Sequence, residues 1–188
     1  MTFPMVILLF SGKRKSGKDY ICGKLQSILG NEKSTIIRIS EPLKGIYAKY
    51  HNLDLKELLS DGPYKEIYRS EMIKWSEEER NKNLGIFCKA ACDSAPITQI
   101  WIVSDIRRKT DIEWFKNTYG DLVKTIKITA NIQIREKRGL VFTEGVDDAP
   151  SECDLDDFNQ WDLIISNNNS EESEEALNTV LDFLNKAI

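Results

Sequence analysis

Short runs of consecutive apolar residues alternate along this chain with stretches whose apolar positions recur every three or four residues. The run from Met5 to Phe10 has no polar face and stops at Ser11-Gly12, as expected of a strand buried on both sides. Comparable signals predict strands over 34–40, 99–105, 122–130 and 161–166. Between the first two, Tyr20, Ile21, Leu25, Ile28 and Leu29 follow helical spacing until Gly30-Asn31, which predicts a helix over 17–29. Pro42 suits the first turn of a helix over 42–50, and a short helix is expected over 54–60. Gly62-Pro63 opens a long helix over 64–82, with Tyr64, Ile67, Tyr68, Met72 and Trp75 as its core-facing stripe. Helical patterns return over 84–95, 110–120, 131–139 and 171–186, and an acidic stretch with Gly and Pro, read as a loop, fills 141–158.

Strands alternating with helices imply an α/β fold with a mostly parallel five-stranded sheet covered on both faces. Right-handed crossovers then bring the strand ends, and any ligand, to one edge of the sheet. A length of 188 residues with 41% apolar content fits a single domain, and no repeat, linker or low-complexity tract interrupts it. No apolar run is long enough to span a membrane, and the start lacks the charged segment of a secretory leader. Four cysteines and one histidine, His51, argue against a disulfide framework and a zinc site. Cys88 and Cys92 share a helix face, so buried free thiols in a reducing compartment are expected.

Charge adds an asymmetry. Residues 144–188 hold 13 of the 30 acids and one of the 26 bases, Lys186, within a net charge of −4. The dispersed bases of the remainder suit a small polyanion held from several sides better than a nucleic-acid duplex.

The connection after the first strand reads Gly12-Lys-Arg-Lys-Ser-Gly17-Lys18-Asp19, the spacing of a phosphate-binding loop between a buried strand and a helix. Gly12 permits the tight turn, Gly17 permits close backbone approach, and Lys18 reaches outer phosphates. Asp19 stands where a hydroxyl residue would hold magnesium. Its carboxylate is either a charged ligand for that metal or a helix-start residue stabilised by the helix dipole. Lys13, Arg14 and Lys15 either flank an anion rich in charge or form a solvated loop face.

Further cations fall where ligands gather. Lys65 and Arg69 are four residues apart and project together, and Arg80 lies on the same stripe eleven residues on, unless it belongs to a solvated face. The strand over 99–105 ends in Asp105, which is either a magnesium ligand or a structural acid that needs partners of its own, and is followed by Arg107 and Arg108. Arg135 and Arg138 flank Lys137 in a basic segment bounded by Gly139 and Gly145, which fits a lid over phosphates or a solvated basic helix. No nucleophile–histidine set can be assembled around His51. A phosphate acceptor needs orientation and charge shielding more than it needs a base, so the pattern points to transfer from phosphate to phosphate. A nucleoside-monophosphate kinase and a nucleotide-binding switch without turnover are the competing readings.

The motifs LLFSGKRKSGKD, PLK, YKE, WSEEER, IWIVSDIRR, DIEWF and RGLVFTEGVDDAPSEC, with the WD…I…N ending, resemble the animal-type phosphomevalonate kinases across nearly the whole chain. That resemblance implies a three-layer P-loop kinase fold of the nucleoside-monophosphate-kinase type, ATP and Mg2+, and conversion of 5-phosphomevalonate to 5-diphosphomevalonate. It implies an ATP loop over Gly12, Lys13, Arg14, Lys15, Ser16, Gly17, Lys18 and Asp19, with Arg135, Arg138 and Asn168 also on the nucleotide. Lys44, Lys65, Arg69, Arg80, Arg107, Arg108 and Asn167 are implied at the acceptor. Lys18, Asp19, Arg107, Arg108 and Arg138 are implied to be catalytic, and Asp19 and Asp105 to meet the metal. The helical region over 42–95 would hold the acceptor, and 131–145 would be the lid. A monomer is expected, without nucleic-acid or membrane partners. The ending Lys186-Ala187-Ile188 is not a peroxisomal tripeptide, so the cytosol is expected.

Overall fold

The computed structural model describes residues 4–60 and 62–187. Met1 to Phe3 and Ile188, on which the expectations about a leader and a terminal tripeptide partly depend, lie outside the described residues.

Among the described residues five strands form one sheet: β1 (Val6–Ser11), β2 (Ser34–Ile37), β3 (Ile100–Val103), β4 (Val123–Thr129) and β5 (Leu163–Ser166). Their spatial order is β2-β3-β1-β4-β5, and every neighbouring pair is parallel. The central strand β1 is flanked by β3 and β4, which is where the strand order reverses, so its C-terminal end faces the crevice in which such sheets bind ligands.

The continuous apolar runs are explained by the two cores. Alternate residues of a strand point to opposite faces. Ile7 and Leu9 of β1, with Trp101 and Val103 of β3, enter one core, where they meet Phe87, Ile112 and Phe115. Val6, Leu8 and Phe10, with Ile100 and Ile102, enter the other, against Ile21, Leu25, Val180 and Leu184. Helices α1 (Lys18–Leu29) and α9 (Ser170–Ala187) cover that second face; α5 (Ile86–Asp93) and α6 (Lys109–Tyr119) cover the first.

The helices α2 (Ser40–His51), α3 (Leu55–Leu59) and α4 (Pro63–Lys82) build a small core of their own around Tyr47, Leu58 and Met72. Tyr64, Tyr68 and Trp75 pack on it, whereas Ile67 is 70% exposed. At 3.6 residues per turn the other four share one stripe, and Ile67 falls outside it. Tyr20 and Ile28 leave the α1 core face in the same way. The basic segment forms α7 (Ile132–Lys137), and the acidic stretch contains a short helix, α8 (Pro150–Cys153), that its composition did not predict.

All four cysteines are free; Cys22, Cys88 and Cys92 are buried. Burial pushes the thiol pKa of Cys22 up to about 12 and that of Cys92 up to about 11, so both behave as inert apolar groups. Among the described residues no helix is long and apolar enough to cross a membrane.

Candidate active site

Residues 12–17 connect β1 to α1. The Ser16 N–H donates to the Lys13 carbonyl at 3.1 Å and closes the turn, with Lys15 at φ 62° and Gly17 at φ 87°. Close approach makes both glycines necessary. A Cβ on Gly17 would lie 2.2 Å from Asn167 Nδ2, and one on Gly12 would lie 2.6 Å from the Ile128 carbonyl oxygen. Asn167, just beyond β5, is buried and donates to the Ser16 carbonyl at 2.7 Å, while the Ser173 hydroxyl of α9 donates to its Oδ1 at 2.5 Å. The Ser16 hydroxyl is buried without a partner among the described residues, as is Ser104 Oγ beyond the end of β3.

Lys18 is the first residue of α1, and its side chain is buried. Its amine donates to the Ser104 carbonyl and, at 2.8 Å, to Asp19 Oδ1. Burial pushes the Asp19 carboxyl up, but the charge and hydrogen bond of Lys18, joined by Arg107 and Arg38, hold it below its usual value. Asp19 is therefore an ionised carboxylate at neutral pH; neighbouring protein displaces part of the water around it, yet its side chain stays open to solvent. Partial burial pulls the Arg107 pKa down, and Asp105, Arg69, Asp19 and Arg14 all lie close enough to bear on its charge. Arg14 and Arg69 thus bear on Arg107, and Arg107 on Asp19, at the edge where the parallel strands end.

The basic segment reaches over the same loop. Arg135 Nε donates to the Arg14 carbonyl at 2.7 Å, and Arg138 Nη1 donates to the carbonyls of Ser16 and Lys15 at 3.2 and 3.4 Å. Beside it a cleft of about 440 Å³ is lined by Tyr20, Ile134, Arg138, Asn168, Ser173 and Glu174. Asn168 is held there by the Asn131 N–H, which donates to its Oδ1 at 2.8 Å, and by its own donation to Ser166 Oγ at 2.7 Å.

Residues 10–121 match the family model described as phosphomevalonate kinase. This chain belongs to the phosphomevalonate kinase family. A relative from Drosophila melanogaster, named phosphomevalonate kinase, is 49% identical over 184 residues, covering 96% of this chain and 97% of its own. Among solved structures, TT1252 from Thermus thermophilus is similar at a TM-score of 0.56 and 20% identity, over 97% of this chain and 98% of that one. An APS kinase from Mycobacterium tuberculosis, in complex with AMPPNP and APS, is similar at a TM-score of 0.48 and 13% identity, over 96% and 97% of the two chains. The likeness to TT1252 is one of fold, and the sheet with helices on both faces is the three-layer α/β architecture expected from the sequence.

Set against the residues expected from the motifs of this family, the geometry gathers some and reassigns others. Gly12 to Asp19, Arg107, Arg135 and Arg138 meet around the loop, the charge of Arg69 bears on Arg107, and Asn168 lines the adjoining cleft. Lys44 and Lys65 are half-buried on α2 and α4. Arg80 belongs elsewhere: it is buried, pairs with Asp111 of α6 at 2.5 Å and lies over the Phe87 ring at 5.2 Å. It shares the stripe of Arg69, but eleven residues of helix carry it about 16 Å further along the axis. Arg108 is also buried, and its guanidinium pairs with Glu77 of α4. Asn167, expected at the acceptor, spends its side chain on the loop carbonyl and on Ser173. Asp105, expected at the metal, accepts from the Ile39 and Ser40 N–H groups at 2.7 and 2.9 Å and so caps the start of α2 with both oxygens.

Sequence reasoning missed Arg38, whose charge bears on Asp19 from just beyond β2. A base at the C-terminal end of a buried strand was the available signal. It also missed the carboxylates that meet the loop: Asp147 pairs with Arg14 at 2.7 Å, Asp156 with Lys13 at 2.6 Å, and Glu152 with Arg107.

Proposed function

We propose that this kinase transfers the γ-phosphoryl group of ATP to the phosphate of 5-phosphomevalonate, giving 5-diphosphomevalonate and ADP in the mevalonate route to isoprenoids and sterols. The chemistry rests on one observation: Lys18, Arg135 and Arg138 are bonded at the phosphate loop, and Arg107 lines the same cavity as Gly12 and Lys13. The acceptor's identity follows the relative that shares 49% of its sequence.

The acceptor oxygen is already anionic and needs no proton removed, so the work of the site is alignment and charge stabilisation. The loop amides and Lys18 hold the nucleotide phosphates, and Arg135 and Arg138 close over them from the lid at 131–145. Arg107 and Arg69, with Lys44 and Lys65 from the helical region at 42–95, hold the phosphate and carboxylate of the acceptor. Arg108 contributes by fixing the loop that carries Arg107. Lys18 and Arg107 lie nearest the transferring group, where their charges stabilise the equatorial oxygens.

The residues fit a magnesium ion. Such an ion is held by one or two carboxylates together with phosphates and water, and Asp19 offers an exposed, ionised carboxylate at the start of α1. Asp105, with both oxygens on backbone amides, adds charge at the same edge. When bound, the ion offsets negative charge on the phosphates. We read the chain as one catalytic domain that works as a cytosolic monomer, with no nucleic-acid partner.

A coupled ADP-release assay with MgATP tests this reading against phosphomevalonate, mevalonate, AMP and CMP. Turnover with phosphomevalonate alone is expected. Turnover with AMP but not phosphomevalonate, or ATP binding with no turnover on any acceptor, would overturn it.

A further inference from the structure

The acidic stretch after the lid takes no part in the reaction described above, yet its carboxylates meet the cations of the site one by one. Asp147 accepts from Arg14, Asp156 from Lys13, and Glu152 from Arg107, while Asp157 pairs with Lys109 and Asp154 accepts from the Lys109 N–H. Lys13 also donates to the Glu152 carbonyl at 2.5 Å. One short segment therefore grips both the phosphate loop and the end of the β3–α6 connection.

The segment is rooted in the fold. Val146, Ala149 and Leu155 are buried, and Leu155 enters the core beneath β1 and β3. Phe158 and Trp161 pack on the same core with their rings 4.8 Å apart, and the Trp161 indole N–H donates to the Phe158 carbonyl at 2.8 Å. Asp147 also accepts from the Thr143 N–H at 2.9 Å, which fixes its carboxylate from its own side. A strap meant to leave when an anionic ligand arrives would not be pinned by apolar side chains along its length. Asp147 and Glu152, each with a side chain less than a tenth exposed, are fixed points, and the cations are the longer, more flexible partners.

A guanidinium carries five N–H donors in a rigid fork. Arg107 and Arg14 each give Nη1 to a carboxylate of the segment, which leaves their other donors for an incoming anion. We infer that Glu152 and Asp147 are positioning residues for phosphoryl transfer: Glu152 sets Arg107 for the acceptor, and Asp147 sets Arg14 and its loop for the nucleotide. This rests on the placement of Arg107 and Arg14 proposed above. Misplacing a binding group by about 1 Å costs up to about 100-fold in rate, so the frame matters even though it touches neither substrate.

Steady-state kinetics on Glu152→Gln, Asp147→Asn and Arg107→Gln, varying each substrate in turn, test the inference. KM does not depend on the fraction of enzyme folded, so loss of stability does not obscure the result. Glu152→Gln should raise the phosphomevalonate KM by about tenfold or more while the ATP KM moves by less than about threefold, and Asp147→Asn should do the reverse. Glu152→Asp, which keeps the charge, should recover part of the loss. Unchanged KM values beside a lower Tm would make the segment purely structural and overturn the inference. A lower phosphomevalonate KM in Glu152→Gln would mean that the carboxylate competes with the acceptor, which overturns it as well. If Arg107→Gln raises the acceptor KM and Glu152→Gln does not, the positioning role alone fails. If Arg107→Gln leaves it unchanged, the placement of Arg107 fails and the inference with it.

Discussion

The phosphate loop and helix α4 both bring cations to the site, but they hold them differently. Lys13, Arg14 and Lys18 are each tied to a group far away in the chain: Asp156, Asp147 and the Ser104 carbonyl. On α4, Arg69 pairs at 2.7 Å with Glu66, three residues away on the same helix. Long-range ties fix a side chain relative to the sheet, and the entropy of ordering it is spent in folding. A local helix pair is worth only about 0.2–0.5 kcal/mol and leaves the arginine free to exchange partners. On the proposed reading the nucleotide side is thus set before ligands arrive; on the acceptor side Arg107 is set in the same way by Glu152, and Arg69 takes its final arrangement from the acceptor.

Arg80 is the sharpest internal control, because it sits on α4 yet is tied across to α6 like a loop cation. Removing one partner of a buried ion pair costs roughly 3–5 kcal/mol, so Arg80→Ala should lower Tm by about 10 °C. Its acceptor KM should stay within about twofold of the parent enzyme. A raised KM at unchanged Tm would return Arg80 to the binding site.

Lys18→Met comes next. Losing a group aimed at developing charge costs about 3 kcal/mol in the transition state, so kcat should fall about 100-fold or more with little change in Tm. If Tm collapses instead, the buried amine is a structural link to Ser104 and the division between the two regions is drawn in the wrong place.

Asp105→Asn replaces one acceptor by a donor facing a backbone N–H. Thermal unfolding should show a loss of about 1–3 kcal/mol, and the magnesium dependence of the remaining activity should be unaltered. A shifted magnesium optimum would restore Asp105 as a ligand. The mildest change is Arg69→Met, expected to raise the acceptor KM by about tenfold, while Glu66→Gln shifts stability by less than about 0.5 kcal/mol. An equal effect of Glu66→Gln on KM would show that Arg69, too, is held in advance.

The strands were readable because β1 and β3 lie between two cores and so carry unbroken apolar runs, and the loop was readable because its glycines are required by contacts at fixed offsets. The division of labour among the cations was not. Arg80 and Arg69 look alike in spacing, and only the position of Asp111, 31 residues beyond Arg80, separates a core link from a ligand. Asp147, Glu152 and Asp156 read as an acidic loop because charge pairs formed between segments more than a hundred residues apart, or 45 in the case of Glu152, leave no periodicity in either. The small helix α8 was hidden for the same reason: Pro150 starts it, but four residues give no repeat to detect.

Phosphorus NMR of the enzyme with MgATP and 5-phosphomevalonate tests the central claim. Phosphoryl transfer to phosphate predicts that the acceptor's single resonance gives way to two mutually coupled diphosphate signals as ADP accumulates. Growth of inorganic phosphate beside an unchanged acceptor resonance would contradict it.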